Sequence, residues 1–324
     1  MITESESGDA EGIRHMETVD GTTETVIEES TIYTREEFRT IDVGAIMRDG
    51  HPDITDGDLL IVERVAARRA ELGRPLTVMD VGSGSGVLAG MIADRLPDCR
   101  VIANDVARNP LEQARDRLAD KPGAEVYGSP FEQWQEPLDV MISWGSHHHL
   151  PHNHLTHARQ LLGEHGLLIL GDEFCPEYCT PEDAVRLKSA EVIELGGGYL
   201  LASDEEIAAY RKDGTVPEWS RELETRRRKT LWNWYKFVID YAIERDNWMV
   251  AIAEMQITKD DVVTSFEEEH KLSPLIVEHE LAVNGFQQRA KHVIGDREPA
   301  LQSFFVYEFT VAAAEGPVAG QGRQ

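Results

Sequence analysis

The sequence predicts an α/β protein: a doubly wound, mostly parallel seven-stranded sheet with an antiparallel edge strand, plus an inserted helical lid subdomain. Three observations predict it. Short apolar runs alternate with amphipathic helical stretches from Leu76 to Leu170, and strands apolar on both faces that alternate with helices build parallel sheets covered on both sides. After Phe174 this rhythm stops, and the text stays helical, charged and aromatic as far as Leu272. Strand patterning then returns in two late segments, the second alternating aromatic and polar residues as an edge strand in antiparallel pairing would.

Taken in order, residues 1–30 are acidic, nearly free of basic residues and poor in anything to bury, so they are expected to lack fixed structure. A helix is predicted from Thr34 through Ile46. A second follows, capped by Asp56 or Asp58, with Leu59, Leu60, Val62 and Val65 facing inward and Gly73 ending it. The sheet then reads as strand Leu76–Val81, helix Ser85–Leu96, strand Cys99–Asn104, helix Pro110–Leu118, strand Glu125–Tyr127, strand Leu138–Trp144, helix Asn153–Leu162 and strand Leu167–Leu170. Beyond the insert come a helix at Leu275–Val283, a turn at Asn284-Gly285, and strands Gln288–Ile294 and Ser303–Thr310. The expected divisions are 1–30 as a tail, 31–174 with 273–312 as the sheet domain, 175–272 as the helical subdomain, and 313–324 as a flexible end.

Composition bounds the function. Of 324 residues, 41% are hydrophobic, which suits a folded chain, and no apolar run is long enough to span a bilayer. The N-terminus lacks a basic-then-apolar leader, so a cytoplasmic location without membrane attachment is expected. Cys99, Cys175 and Cys179 cannot form a disulfide framework and read as reduced thiols. The formal net charge of -27 repels a phosphate polyanion at long range, which argues against nucleic acid as a partner.

The strongest chemical signal is the run from Val78 to Leu88, Val-Met-Asp-Val-Gly-Ser-Gly-Ser-Gly-Val-Leu. A buried strand enters a glycine-dense turn that opens a helix, where the backbone can approach a ligand without a Cβ intervening and free N–H groups face outward. Asp105 closes the next strand, where a carboxylate can accept both hydroxyl hydrogens of a ribose. The dinucleotide fingerprint Gly-x-Gly-x-x-Gly does not fit, because the third glycine comes one residue early and Val87 holds its place. Asp80, just ahead of the glycines, suits an ammonium group better than a pyrophosphate.

Asp80-Val-Gly-Ser-Gly-Ser-Gly resembles motif I of the class I, seven-strand Rossmann-like S-adenosylmethionine-dependent methyltransferases. Four later segments resemble the same family in the right order: Gly128-Ser-Pro-Phe131, Asp139 to Pro151, Leu161 to Glu173, and Asn284-Gly-Phe286. The resemblance covers residues 56–174 and 275–310. It implies S-adenosylmethionine as cofactor, with Asp80 holding its amino-acid part. Gly82, Ser83, Gly84 and Gly86 would line the backbone approach, and Asp105 would bind ribose. Val106, Pro130 and Phe131 would lie about the adenine, with Ser143 and Trp144 near the sulfonium. Members of the family are often dimers, so a homodimer is an expectation too.

Methyl transfer is in-line displacement at an already activated carbon, and a base is needed only when the nucleophile carries a proton. His147 and His148 are candidate bases by position, and Glu173, beyond the fifth strand, should face the ligand end of the sheet. His292 is a third candidate, although a satisfied buried histidine explains it as well. His152, His154 and His157 read as solvated or capping residues, and no spacing matches an established metal signature, so no metal is expected. In the insert, Trp219, Trp232, Trp234, Tyr235, Phe237, Tyr241 and Trp248 gather most of the tryptophan. Trp234 and Tyr235 are candidate substrate contacts, against the competing reading that such helical spacing is core packing. Arg228, in Arg226-Arg-Arg-Lys229, could clamp an anionic group or simply pair with Glu222 and Glu224.

These features predict a small-molecule methyltransferase whose acceptor is an amino-acid-like or aromatic metabolite. An S-adenosylmethionine enzyme of non-methyl chemistry, a nicotinamide-dependent oxidoreductase and a silent binding module are the competing readings.

Overall fold

A computed structural model describes residues 13–17, 23–27, 33–34, 36, 39–150, 154–174, 205, 208–209, 212, 218, 220–221, 232, 236, 239–240, 242–259, 274–295 and 304–312. Cys175, Cys179, Arg228, Trp234 and Tyr235 lie outside them, as do most of the expected helical subdomain and the end at 313–324.

The N-terminal segment expected to lack structure contains a two-stranded antiparallel ladder, β1 (Ile13–Glu17) with β2 (Thr23–Ile27). Two helices follow, α1 (Val43–Gly50) and α2 (Pro52–Leu72). The first begins nine residues later than the sequence predicts, because Asp42 accepts the Ala45 N–H as its N-cap at 2.9 Å. The second begins at Pro52, which is well placed in a first turn, so Asp56 and Asp58 lie inside the helix and cap nothing. Gly73, at φ 64°, ends it as expected.

The sheet is then laid down by β3 (Thr77–Val81), α3 (Val87–Arg95), β4 (Arg100–Asn104), α4 (Arg108–Leu118), β5 (Ala124–Tyr127), β6 (Val140–Trp144), α5 (His154–Leu162) and β7 (Leu167–Glu173). Helix α6 (Trp248–Lys259) belongs to the inserted stretch, and α7 (Pro274–Val283), β8 (Phe286–Val293) and β9 (Phe304–Val311) complete the fold. The seven strands run β5-β4-β3-β6-β7-β9-β8. Only β9 is antiparallel to its neighbours, pairing with β7 on one side and β8 on the other. The last strand is therefore the inner member of the edge pair, and its residues Phe304–Phe309 are all buried, the apparent polar position Glu308 included. The outermost strand is β8, exposed along most of its length.

Two cores cover the sheet. On one face α2 and α3 pack Ile61, Val65, Leu88 and Ile92 against Val78, Val101, Val140 and Ile169. On the other, α5 and α7 pack Leu155, Ala158, Val277 and Leu281 against Met79, Met141, Leu168 and Leu170. Each fully buried aliphatic side chain of this kind contributes roughly 1.5–3 kcal/mol. Strand order reverses at β3, between β4 and β6. Ligands of open α/β sheets bind outside the carboxyl ends of the strands at such a point.

Candidate functional site

The turn after β3 is where the chain is tightest. Gly82, Gly84 and Gly86 all have positive φ, and each meets something different. A Cβ on Gly82 would stand 2.4 Å from the Ser146 Cβ, and one on Gly86 would press on Ala114 of α4 at 3.2 Å. A Cβ on Gly84 would meet nothing within 4 Å. Two glycines therefore let loops pack, and the middle one borders open space. Ser83 beside it has a buried Oγ without a hydrogen-bond partner, the kind of orphan that a bound molecule satisfies.

Asp105 organises the other wall. One carboxylate oxygen accepts the Gly84 N–H at 2.8 Å, and the other accepts the N–H groups of Val106 at 2.8 Å and Ala107 at 2.9 Å. Burial raises its carboxyl above the usual range, and those three N–H groups oppose the rise. Asn104, which the sequence reading passed over, accepts the Ser83 N–H through its carbonyl and donates Nδ2–H to Tyr127 and Ser129 carbonyls. A buried amide closing an apolar strand was the signal for it. Asp80, 2% exposed, is pushed up to about 7 by burial; Arg48 lowers it, while Asp58 and Asp105 raise it.

The segment ahead of α2 closes over this end of the sheet. Asp42 accepts the Ser85 hydroxyl at 2.8 Å and pairs with Arg117, whose Nε donates to the Ser85 carbonyl at 2.8 Å. Gln113 donates to the Arg39 and Ile41 carbonyls, and Asn109 N–H to that of Tyr33. Arg48 forks onto Asp58, at 2.5 and 3.2 Å. Burial raises the Asp58 carboxyl, with Arg48 and a hydrogen bond to Trp144 pulling it back. Helix α1 is backed in turn by the insert, through Val250 and Ala251 against Ile46 and Met47.

The other residues expected about the cofactor are held mainly by protein contacts. Trp144 is half-buried, its ring filling the space left by Gly57 and Gly171, where Cβ atoms would come within 2.3 and 2.5 Å of it. Ser143 is 1% exposed and bonded to the Ser146 hydroxyl at 2.8 Å, which in turn donates to the Val81 carbonyl at 2.6 Å. Phe131 is core, 3% exposed and edge-on to His157, while Pro130 and Val106 are half-buried. His292 stands level with Gly171 through Val306, near the carboxyl end of its strand but at the outer edge of the sheet. It sits on β8 with Nε2 2.8 Å from Glu308, which also pairs with Arg64 at 3.0 Å.

The two preferred histidines do come together here, on a short helical turn after β6. His148 Nδ1 lies 2.5 Å from an Asp172 carboxylate oxygen, both residues being buried. The other oxygen of Asp172 accepts the Glu173 N–H at 2.8 Å, and Glu173 itself is half-buried. His147 Nε2 is 3.3 Å from Glu280 on α7, its ring is edge-on to His154, and its buried Nδ1 has no hydrogen-bond partner. Among the described residues no group of three or more His, Cys, Asp or Glu could hold a metal ion, and no helix is long and apolar enough to cross a membrane.

Residues 78–166 match a family model described as a methyltransferase domain. With the sheet order and the loop geometry above, this match supports reading residues 78–166 as a class I S-adenosylmethionine-dependent methyltransferase domain. Over 71 residues it is 41% identical to the tRNA1(Val) (adenine(37)-N6)-methyltransferase of Aeromonas hydrophila, covering 20% of this chain and 30% of that protein. Over 94 residues it is 33% identical to the trans-aconitate 2-methyltransferase of Rhodopseudomonas palustris, covering 28% and 35%. The chain thus spans about a third of the length of the relatives it matches. Among solved structures, a 1,6-didemethyltoxoflavin-N1-methyltransferase from Burkholderia thailandensis superposes with a TM-score of 0.41 at 13% identity, over 76% of each chain. The residues present fit the family's cofactor: open space at Gly84, an orphan hydroxyl at Ser83 and two carboxyls, Asp80 and Asp105, where a cationic, diol-bearing ligand needs acceptors.

Proposed function

We propose that this chain transfers a methyl group from S-adenosylmethionine to a small-molecule acceptor, amino-acid-like or aromatic. The observation that carries the reading is the 2.8 Å hydrogen bond from the Gly84 N–H to Asp105, which joins the ends of β3 and β4 into one cradle beside the open space at Gly84. The cofactor supplies a carbon already activated for displacement. Asp105 accepts from ribose hydroxyls, Asp80 faces the amino-acid part, and the Gly84 backbone lets the ligand lie close. Helix α1, held by Asp42 and Arg48, covers the same end and excludes water. Alignment of this kind is worth roughly 7–11 kcal/mol of the barrier.

A small acceptor is favoured over a macromolecule by two features. The insert leaves the sheet at the end of β7 and returns at α7, so it arises beside the reacting end. The net charge of -27 opposes a polyanion such as the tRNA that the Aeromonas relative is named for. The test is calorimetry with S-adenosylhomocysteine: saturable binding is expected, and it should be weakened by on the order of 100-fold in Asp105→Ala. Incubation with S-adenosylmethionine alone decides against a non-methyl chemistry, which would release methylthioadenosine.

A further inference from the structure

The pair formed by His148 and Asp172 has no part in the cofactor cradle described above, and it lies at the carboxyl ends of β6 and β7. β6 and β7 are neighbours in the sheet, with Trp144 paired to Gly171, so the residues just beyond each meet at the carboxyl end. Ser146, two residues before His148, abuts Gly82 and donates to the Val81 carbonyl. The loop that carries the imidazole therefore rests on the cofactor turn itself. A buried carboxylate against one ring nitrogen fixes both the orientation and the tautomer of a histidine: Nδ1 keeps its hydrogen, donated to Asp172, and Nε2 becomes the basic nitrogen.

We propose that His148, positioned by Asp172, accepts the acceptor's proton during methyl transfer, so the acceptor is a hydroxyl, phenol or ammonium compound rather than a carboxylate. The inference rests on the methyl-transfer reading. In the step, a proton on the acceptor heteroatom passes to His148 Nε2, leaving the electron pair of that O–H or N–H bond on the heteroatom. This pair forms a bond to the methyl carbon as the carbon–sulfur bond breaks, whose own pair neutralises the sulfonium. The resulting imidazolium is balanced by the Asp172 carboxylate and later loses its proton to water. A carboxylate acceptor has no proton to give and would leave this arrangement without a use.

The test is nitrogen NMR on the full chain labelled with 15N-histidine and with 15N-glycine. Without ligand, His148 should show a single neutral tautomer with hydrogen on Nδ1. Asp172→Asn, whose remaining oxygen stays on the Glu173 N–H and whose amide NH2 then faces His148, should lose that signal and move the hydrogen to Nε2. Hydrogen on Nε2 in the unsubstituted chain overturns the proposal even if the variant does not fold. Sinefungin, which carries an amino group where the methyl stands, should shift the His148 ring nitrogens more than S-adenosylhomocysteine does. A response at the Gly84 amide with none at His148 removes the base and leaves the cofactor site standing. Silence at both removes the cofactor reading and the base with it.

Discussion

Gly82 and Ser146 touch backbone to side chain: a methyl on Gly82 would lie 2.4 Å from the Ser146 Cβ, and the Ser146 hydroxyl reaches back to the Val81 carbonyl. The cofactor turn and the histidine loop are thereby one packed unit, and a change in one is felt in the other.

This separates two glycines that look equivalent. Gly82→Ala combines a left-handed φ of 70° with a steric overlap and should cost on the order of 2–3 kcal/mol, read by urea denaturation. Gly84→Ala meets open space, so its stability loss should be only about 1 kcal/mol from φ strain, while calorimetry shows S-adenosylhomocysteine binding at least tenfold weaker. Equal effects of the two on stability would refute the division of roles.

The Asp105 carboxylate holds three backbone N–H groups, and in the proposed reading it accepts from ribose as well. Asp105→Ala should weaken S-adenosylhomocysteine by on the order of 100-fold, since hydrogen bonds to a charged group contribute roughly 1.5–3 kcal/mol each. Retained affinity in that variant would sink the ribose assignment.

Asp80 carries a pH dependence. Its carboxyl is raised from 3.8 to about 7, so between those values the folded chain keeps a proton that the unfolded chain has released. The stability it contributes is complete below the unfolded value and is lost as pH rises through about 7, a change on the order of a few kcal/mol. Asp80→Asn should therefore stabilise the ligand-free chain more at pH 8 than at pH 5, by thermal melting. An ammonium-bearing ligand prefers the ionised form, so S-adenosylhomocysteine should bind more tightly from pH 6 to pH 8, and less steeply so in the variant. A flat binding profile in the unsubstituted chain would contradict the pairing.

Arg48 and Asp58 form a buried pair, the carboxylate being 1% exposed. Arg48→Met strands a charge and should cost roughly 3–5 kcal/mol, whereas adding Asp58→Asn should restore most of it, as chemical denaturation would show. No recovery in the double variant would mean that the arginine matters through its packing alone.

The legible parts of this molecule were those with a local reason to look as they do. Asp80, the glycine turn and Asp105 are dictated by what the backbone must do within a few residues, and short apolar strands alternating with helices gave the sheet its order. Asp172 was hidden by a boundary: with the fifth strand ended at Leu170, it read as loop, and Glu173 drew attention instead. Continued pairing to Glu173 puts Asp172 on the same face as Leu170, beneath His148. Arg48 and Asp58 lie ten residues apart across a break at Pro52, and no periodicity announces a partner across such a bend. His292 was hard to read for another reason: a histidine on a strand does not say which strand is outermost, and here it lies at the sheet edge, bonded to Glu308.

The placement of β9 between β7 and β8 bears on how the chain is made. While residues 304–311 are still within the ribosome, β8 has no strand to join, and the backbone groups along the outer side of β7 are unsatisfied. An unpaired apolar strand border is a template for aggregation. A nascent chain of this protein is accordingly most vulnerable in the interval after β7 has emerged and before the aromatic run from Phe304 slots into place.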